Sequence, residues 1–167
     1  KLTNLDKVYW KKEGYTKRDL LNYYHNVAPY ILPYMKNRPQ SLNRHPNGID
    51  GMSFFQKNVE GKVPGWVETF AEYSESNQET IHYYVYPNEA RLIYLANLGC
   101  IEMNPWHSTT ERPDYPDYCL IDLDPHEISF DKVIETAQGV KKVLDEFKIP
   151  AWCKTSGATG LHICIPL

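Results

Sequence analysis

The 167-residue sequence contains no run of about 18 apolar residues, so no stretch has the length and apolarity of a membrane-spanning helix. Its first ten residues, KLTNLDKVYW, lack the apolar core of a secretory signal. Cysteine is sparse, and Cys100, Cys119, Cys153 and Cys164 each stand alone, three of them in apolar, strand-like runs. That spacing excludes a zinc site of paired cysteines and a disulfide scaffold, and it fits reduced, buried thiols in a cytoplasmic protein. Internal repeats, low-complexity segments and an evident linker are also lacking. What is present is 42% hydrophobic and 13% aromatic content, with 13 tyrosines, enough for a folded domain with a core.

The small net charge of −3 conceals an asymmetry. Residues 1–62 carry 11 Lys/Arg against 5 Asp/Glu, a balance of +6, and residues 63–167 carry 7 against 16, a balance of −9. A basic first third and an acidic remainder point to a polyanion bound at one end and cations at the other.

The pattern predicts alternating strands and helices in an α/β or α+β layered domain. Thr16 and Asp19 form a capping box for a helix whose apolar positions are Leu20, Tyr23, Tyr24, Val27 and Ile31, with Pro29 and Pro33 expected to kink or segment it. PQSLNR reads as a strand followed by a turn at Asn47-Gly48, and MSFFQK as a second short strand. From about residue 60 to 80 the pattern weakens, and EYSESNQET (72–80) reads as a polar connection. IHYYVY (81–86), a helix ending at Gly99, CIEMNPW and DYCLIDLDP follow. A helix capped by Ser129 then precedes the strands PAWCKTS and LHICIPL, with GATG between them.

The first chemical signal is IDLDP. On a strand, Asp122 and Asp124 share a face about 6–7 Å apart at Cα, while Ile121 and Leu123 point into a core. A carboxylate in an apolar strand needs compensation, and two such groups suit a hard divalent cation, Mg²⁺ or Mn²⁺. The second signal is KTSGATGLH. Its glycines permit close backbone approach to a ligand, Ser156 and Thr159 offer hydroxyls to phosphate oxygens, and His162 follows.

IDLDP followed by KTSGATGLHICIPL, in the order TNLDKVYW, YTKRDLLNYY, LNRHPNGIDGMSFFQK and LANLGCIEMNPW, resembles the polymerase domain of bacterial and archaeal ligase D proteins. That family belongs to the archaeo-eukaryotic primase superfamily and serves non-homologous end joining. The resemblance implies a primase-polymerase fold with an N-terminal αβ module (about 1–110, binding DNA ends) packed on an RRM-like catalytic sheet (from about 111). It implies that Asp122 and Asp124 are two of three catalytic metal carboxylates, for Mn²⁺ or Mg²⁺, and that His162 is catalytic. Ser156, Gly157, Thr159, His162 and Asn104 would meet the incoming NTP or dNTP. Asn4, Lys7 and Lys17 would grip a 5′-phosphate at a DNA break, Phe54 and Phe55 would stack on the template, and Arg44 would be a further contact.

Two departures stand out. Many relatives carry His at Asn104 and Lys at Thr159, so a positive charge is missing unless another cation substitutes. The third Asp is expected beyond Leu167, so the C-terminal part of the domain is expected to be missing and the chain alone inactive. The resemblance also implies Ku, and a ligase domain or subunit, as partners at the prokaryotic nucleoid. A chain ending within a strand suggests pairing of copies through an exposed sheet edge. The alternative function is a DNA-end-binding module without catalysis, or a structural remnant that binds neither DNA nor nucleotide.

Overall fold

The Thr16 capping box forms as its spacing predicts. In the computed structural model, which describes residues 1–85 and 88–167, the Thr16 N–H donates to Asp19 Oδ2 at 2.7 Å, and the Asp19 N–H donates to Thr16 Oγ1 at 3.4 Å. Helix α1 (Lys17–Met35) starts there and buries Leu20, Leu21, Tyr24, Ala28 and Met35. Pro29 and Pro33 do not segment it. Both are exposed and lie four residues apart on one side, so the carbonyls left without a donor face water rather than the core. Ahead of α1, strands β1 (Val8–Trp10) and β2 (Tyr15–Thr16) form an antiparallel ribbon that the sequence reading did not assign.

Around α1 the chain builds a five-stranded sheet from β3 (Pro39–Arg44), β4 (Phe54–Gln56), β5 (Thr69–Ser74), β6 (Glu79–Val85) and β7 (Cys100–Pro105). Strand β3 pairs with β4 and β6 along one edge and with β7 along the other, all antiparallel. Strand β5 falls where the pattern weakens and runs into the stretch expected to be a polar connection, and it forms a hairpin with β6. The expected strand IHYYVY is the end of β6, and its Tyr86 lies outside the described residues. Helix α2 (Glu89–Asn97) packs on α1, and Gly99 follows with φ +82°. The core joins Leu20, Leu21 and Tyr24 to Leu42, Tyr84, Leu92 and Leu95, each buried leucine contributing about 1.5–3 kcal/mol. The Tyr24 hydroxyl donates to Ile101 O at 2.6 Å, and burial raises its pKa well above the ordinary tyrosine value.

The remaining elements are β8 (Tyr118–Leu123), α3 (Phe130–Glu146), β9 (Trp152–Thr155) and β10 (Leu161–Pro166). The sheet order is β8-β10-β9, with β10 antiparallel to both neighbours. Strands β8 and β9 are therefore parallel, joined by α3 with β10 between them, a split β-α-β unit. Strand β10 is thus interior to this three-stranded sheet, and its outer strands are β8 and β9. Ser129 occupies the N-cap of α3, but its side chain makes no capping hydrogen bond. Val133 is the one buried residue of α3, because a three-stranded sheet covers a 17-residue helix only in part.

The two groups of elements form two compact units, Lys1–Pro113 and Asp114–Leu167. Cys100 is buried as expected, and burial pushes its thiol up to about 12. Cys119 and Cys153 are exposed, correcting the expectation of buried thiols, because they lie on the outer strands of the three-stranded sheet. No helix among the described residues is long and apolar enough to cross a membrane.

Candidate functional site

In the second unit, β10 places His162 between two strands. Its backbone partner on β8 is Asp122, and its partner on β9 is Lys154. The Lys154 Nζ lies 2.7 Å from His162 Nδ1, and His162 Nε2 lies 3.3 Å from Asp122 Oδ1. An ammonium has donors and no acceptor, so Lys154 donates and Nδ1 accepts in this contact, which leaves Nε2 as the ring nitrogen turned toward the Asp122 carboxylate. Lys154, His162 and Asp122 form one row across the sheet.

Asp122 is not buried: 53% of its side chain is exposed. Strand β8 ends at Leu123, so Asp124 lies one residue beyond it. The initial picture of two acids inside a buried strand is corrected accordingly. The face that carries Asp122 lacks a covering layer within this unit, whereas Val133 of α3 and Ile163 of β10 are both buried.

The turn after β9 is closed by two hydrogen bonds between its ends. The Ser156 N–H donates to Gly160 O at 3.0 Å, and the Gly160 N–H donates to Ser156 Oγ at 3.0 Å. Gly157 adopts φ +106°, which favours glycine. Gly160 is buried, and a Cβ on it would stand 2.5 Å from both Asp124 Oδ1 and Leu123 O and 3.3 Å from Ser156 Oγ. The missing side chain is what lets the Ser156 hydroxyl and the Asp124 carboxylate occupy one place. Gly157 and Thr159 are exposed at the tip of the turn. Among the described residues, no group of three or more His, Cys, Asp or Glu side chains is arranged to hold a metal ion. The donor set present, two hard carboxylates beside a glycine, still matches Mg²⁺ or Mn²⁺ as part of a coordination shell.

The first unit brings Asn4, Lys7 and Lys17 together at the start of α1. Asn4 has φ +53°, a conformation Asn tolerates better than most residues, and its carbonyl accepts the Lys7 N–H at 3.1 Å. The Lys17 N–H donates to Lys7 O and the Arg18 N–H to Leu5 O, at 2.8 and 2.9 Å. With Asp19 N–H on Thr16, the first amides of α1 are already satisfied. An anion here would be held by side-chain cations rather than by the bare helix end.

Those cations have an unusual setting. Lys17 is 4% exposed, and its ammonium donates to Thr3 O at 2.7 Å and Thr3 Oγ1 at 3.5 Å. Lys7 Nζ donates to Pro46 O and Asn47 Oδ1, both at 2.7 Å. Neither lysine has a carboxylate partner among these contacts. Burial, and then the charge of Lys7, lower the pKa of Lys17 from its ordinary value. Nearby Asp6 is paired with Arg18 at 2.8 Å, and Asn4, Asp6, Lys7 and Arg18 line an open concavity.

Phe54 and Phe55 occupy β4, opposite Arg44 and Asn43 of β3. Adjacent strand residues point to opposite faces, and both rings are exposed, at 43% and 66%. Arg44 is largely engaged. Its Nε and Nη2 donate to Leu98 O, its Nη1 donates to Gln56 Oε1 at 2.9 Å, and its guanidinium lies 5.2 Å from the centre of the Phe54 ring. Asn104 is exposed on β7 opposite Ser41, within the first unit. The sequence reading missed Lys154 and Asn47. Counting outward from the SGATG turn would have placed Lys154 opposite His162, whereas the contact of Lys7 with residues 46 and 47 spans 39–40 residues and has no local signal.

This mixed α/β architecture is that of a primase-polymerase domain. The chain belongs to the LigD primase-polymerase domain family, whose profile matches residues 16–167. It is 34% identical over 167 residues to the bifunctional non-homologous end joining protein LigD of Bacillus subtilis, covering 99% of this chain and 26% of that protein. It is 30% identical over 175 residues to the multifunctional non-homologous end joining DNA repair protein LigD of Mycobacterium tuberculosis, covering 99% of this chain and 23% of that one. The chain thus spans about a quarter of the length of these relatives. The polymerase domain of Mycobacterium tuberculosis ligase D, solved in complex with DNA, matches with a TM-score of 0.86 and 28% identity, over 100% of this chain and 61% of that one. The fold class and family expected from the motifs are confirmed.

Proposed function

We propose that this chain is the DNA-end-recognising and nucleotide-binding part of an end-joining polymerase. Its parent would add NTPs or dNTPs to a DNA 3′-hydroxyl at 5′-phosphorylated breaks or gaps. The observation that carries this reading is the pair of lysines at the start of α1. Lys17 is buried without a carboxylate partner, beside a second ammonium, and such a cation cluster is stabilised by an anion as compact and doubly charged as a terminal phosphate.

In the second unit, the Ser156 hydroxyl and the exposed turn at Gly157 and Thr159 would bind phosphate oxygens. His162, held by Lys154 at Nδ1 and with Nε2 3.3 Å from Asp122 Oδ1, would help keep the Asp122 carboxylate in place. Asp122 and Asp124 would hold a divalent cation, Mg²⁺ or Mn²⁺, which when bound supplies Lewis-acid charge for phosphoryl transfer. Phe54 and Phe55 offer π-faces that accept any base, as end repair requires, and Arg44 braces Phe54. We assign residues 1–110 to end binding and the remainder to the catalytic sheet, with Ku, a ligase module and a nucleoid setting as the expected context.

The test is Asp122→Ala in the intact parent. Extension of a primer at a 5′-phosphorylated gap should be abolished while binding to that gap is retained. Extension at the wild-type rate would remove Asp122 from the reaction. A second reading, end binding without incorporation, rests on the lysine pair alone, whose contacts all lie within the first unit. It is supported if the wild-type parent binds 5′-phosphorylated ends but never extends them.

A further inference from the structure

The 156–160 turn, Ser-Gly-Ala-Thr-Gly, carries no positive charge. A polyanionic nucleotide approaching this turn also meets Asp122 and Asp124. We propose that Lys154 supplies the missing charge, as the cationic contact to a phosphate group of the nucleotide. This rests on the nucleotide-site reading above.

The placement is specific. Lys154 is the one Lys or Arg on β8, β9 and β10. It is opposite His162 in the β9–β10 register, and His162 is opposite Asp122, so all three side chains share one face. The other cations of the unit are Lys132, Lys141, Lys142 and Lys148, on α3 or just after it. Two of these are already paired, Lys132 with Glu135 at 2.6 Å and Lys141 with Asp145 at 2.7 Å. Lys154 has no such carboxylate partner. Its Nζ meets His162 Nδ1 at 2.7 Å and Thr155 O at 3.4 Å. An ammonium with three hydrogens that spends one on an imidazole and one on a long contact to a carbonyl keeps donor capacity for an anion. The imidazole contact orients the ammonium, and Lys154 is exposed, so a phosphate can reach it.

The experiment is calorimetric titration of the chain with ATP, ADP and adenosine in the presence of Mg²⁺. Wild type is compared with Lys154→Gln, Lys154→Arg and the double variant Lys154→Gln/Thr159→Lys. Loss of a charge-assisted phosphate contact predicts about tenfold weaker ATP binding by Lys154→Gln, with adenosine unchanged. Lys154→Arg should retain most of the affinity, and adding Thr159→Lys to Lys154→Gln should restore it by placing a positive charge on the turn. Unchanged ATP affinity in a Lys154→Gln variant with wild-type circular dichroism overturns the proposal while leaving the nucleotide site intact. Equal weakening of ATP and adenosine also overturns it, by showing that Lys154 merely shapes the sheet. Wild type that binds none of the three overturns the nucleotide-site reading, and the proposal with it.

Discussion

Replacing Lys17 with Met removes a charge while keeping most of the volume, which separates the two things a buried lysine does. In the folded protein the ammonium is almost wholly enclosed and bonded to Thr3, with Lys7 as an unfavourable neighbour. Removing it gives up one hydrogen bond to Thr3 O, about 1 kcal/mol, and relieves a desolvated charge of comparable magnitude. Stability in urea should therefore change by no more than about 1 kcal/mol. Binding should respond very differently. A charge-assisted contact to phosphate contributes about 1.5–3 kcal/mol, so affinity for a 5′-phosphorylated gap should fall roughly 10- to 100-fold, with the 5′-hydroxyl gap unaffected. Fluorescence anisotropy with the two gapped duplexes reads the ratio directly. The lowered pKa adds a pH signature. Between the folded value and the ordinary lysine value of 10.5 the unfolded chain holds the extra proton, so wild-type stability rises with pH across that window. The same window should erode the preference for 5′-phosphate, because the neutral amine no longer attracts it. Lys17→Met should show neither trend. An unchanged phosphate-to-hydroxyl ratio in a folded Lys17→Met variant would refute the assignment of Lys17 to the phosphate.

Gly160→Ala should destabilise the second unit by about 1–3 kcal/mol, because its Cβ would stand 2.5 Å from the backbone oxygen of Leu123 and from Asp124 Oδ1. A chemical denaturation midpoint equal to wild type would contradict the close approach. Phe54→Ala and Phe55→Ala should leave stability within about 0.5 kcal/mol, since both rings are exposed. Each should weaken binding to ends with an unpaired template base by about 1–3 kcal/mol. Loss of stability with unchanged binding would make these rings structural.

The parts legible in the sequence are those whose physics is local. The Thr16–Asp19 box needs only its four-residue spacing, and the Asn47-Gly48 turn needs only the left-handed conformation that Gly48 adopts. Whether Pro29 and Pro33 break a helix depends on which side faces water, and that is decided by the packing of α1 on α2. Strand β5 was invisible because TFAEYS alternates half-buried with exposed residues without becoming apolar on either face. The acid pair was legible as chemistry and illegible as environment. The alternation that puts Asp122 and Asp124 on one side is a property of the strand, whereas their exposure depends on what covers that side.

The charge pattern makes sense at the level of individual side chains rather than thirds of the chain. In the basic first third, the Lys7 and Lys17 ammoniums donate to carbonyl, hydroxyl and amide oxygens rather than to carboxylates, a setting that favours an incoming phosphate. The acidic remainder does the opposite. Asp122 and Asp124 repel a triphosphate, and on the strands only Lys154 offsets them. A nucleotide can approach that face favourably when cationic charge accompanies it, which is what a divalent ion held by the carboxylates provides. On the proposed reading, nucleotide binding would be conditional on metal, whereas end binding by the lysine pair would be independent of it.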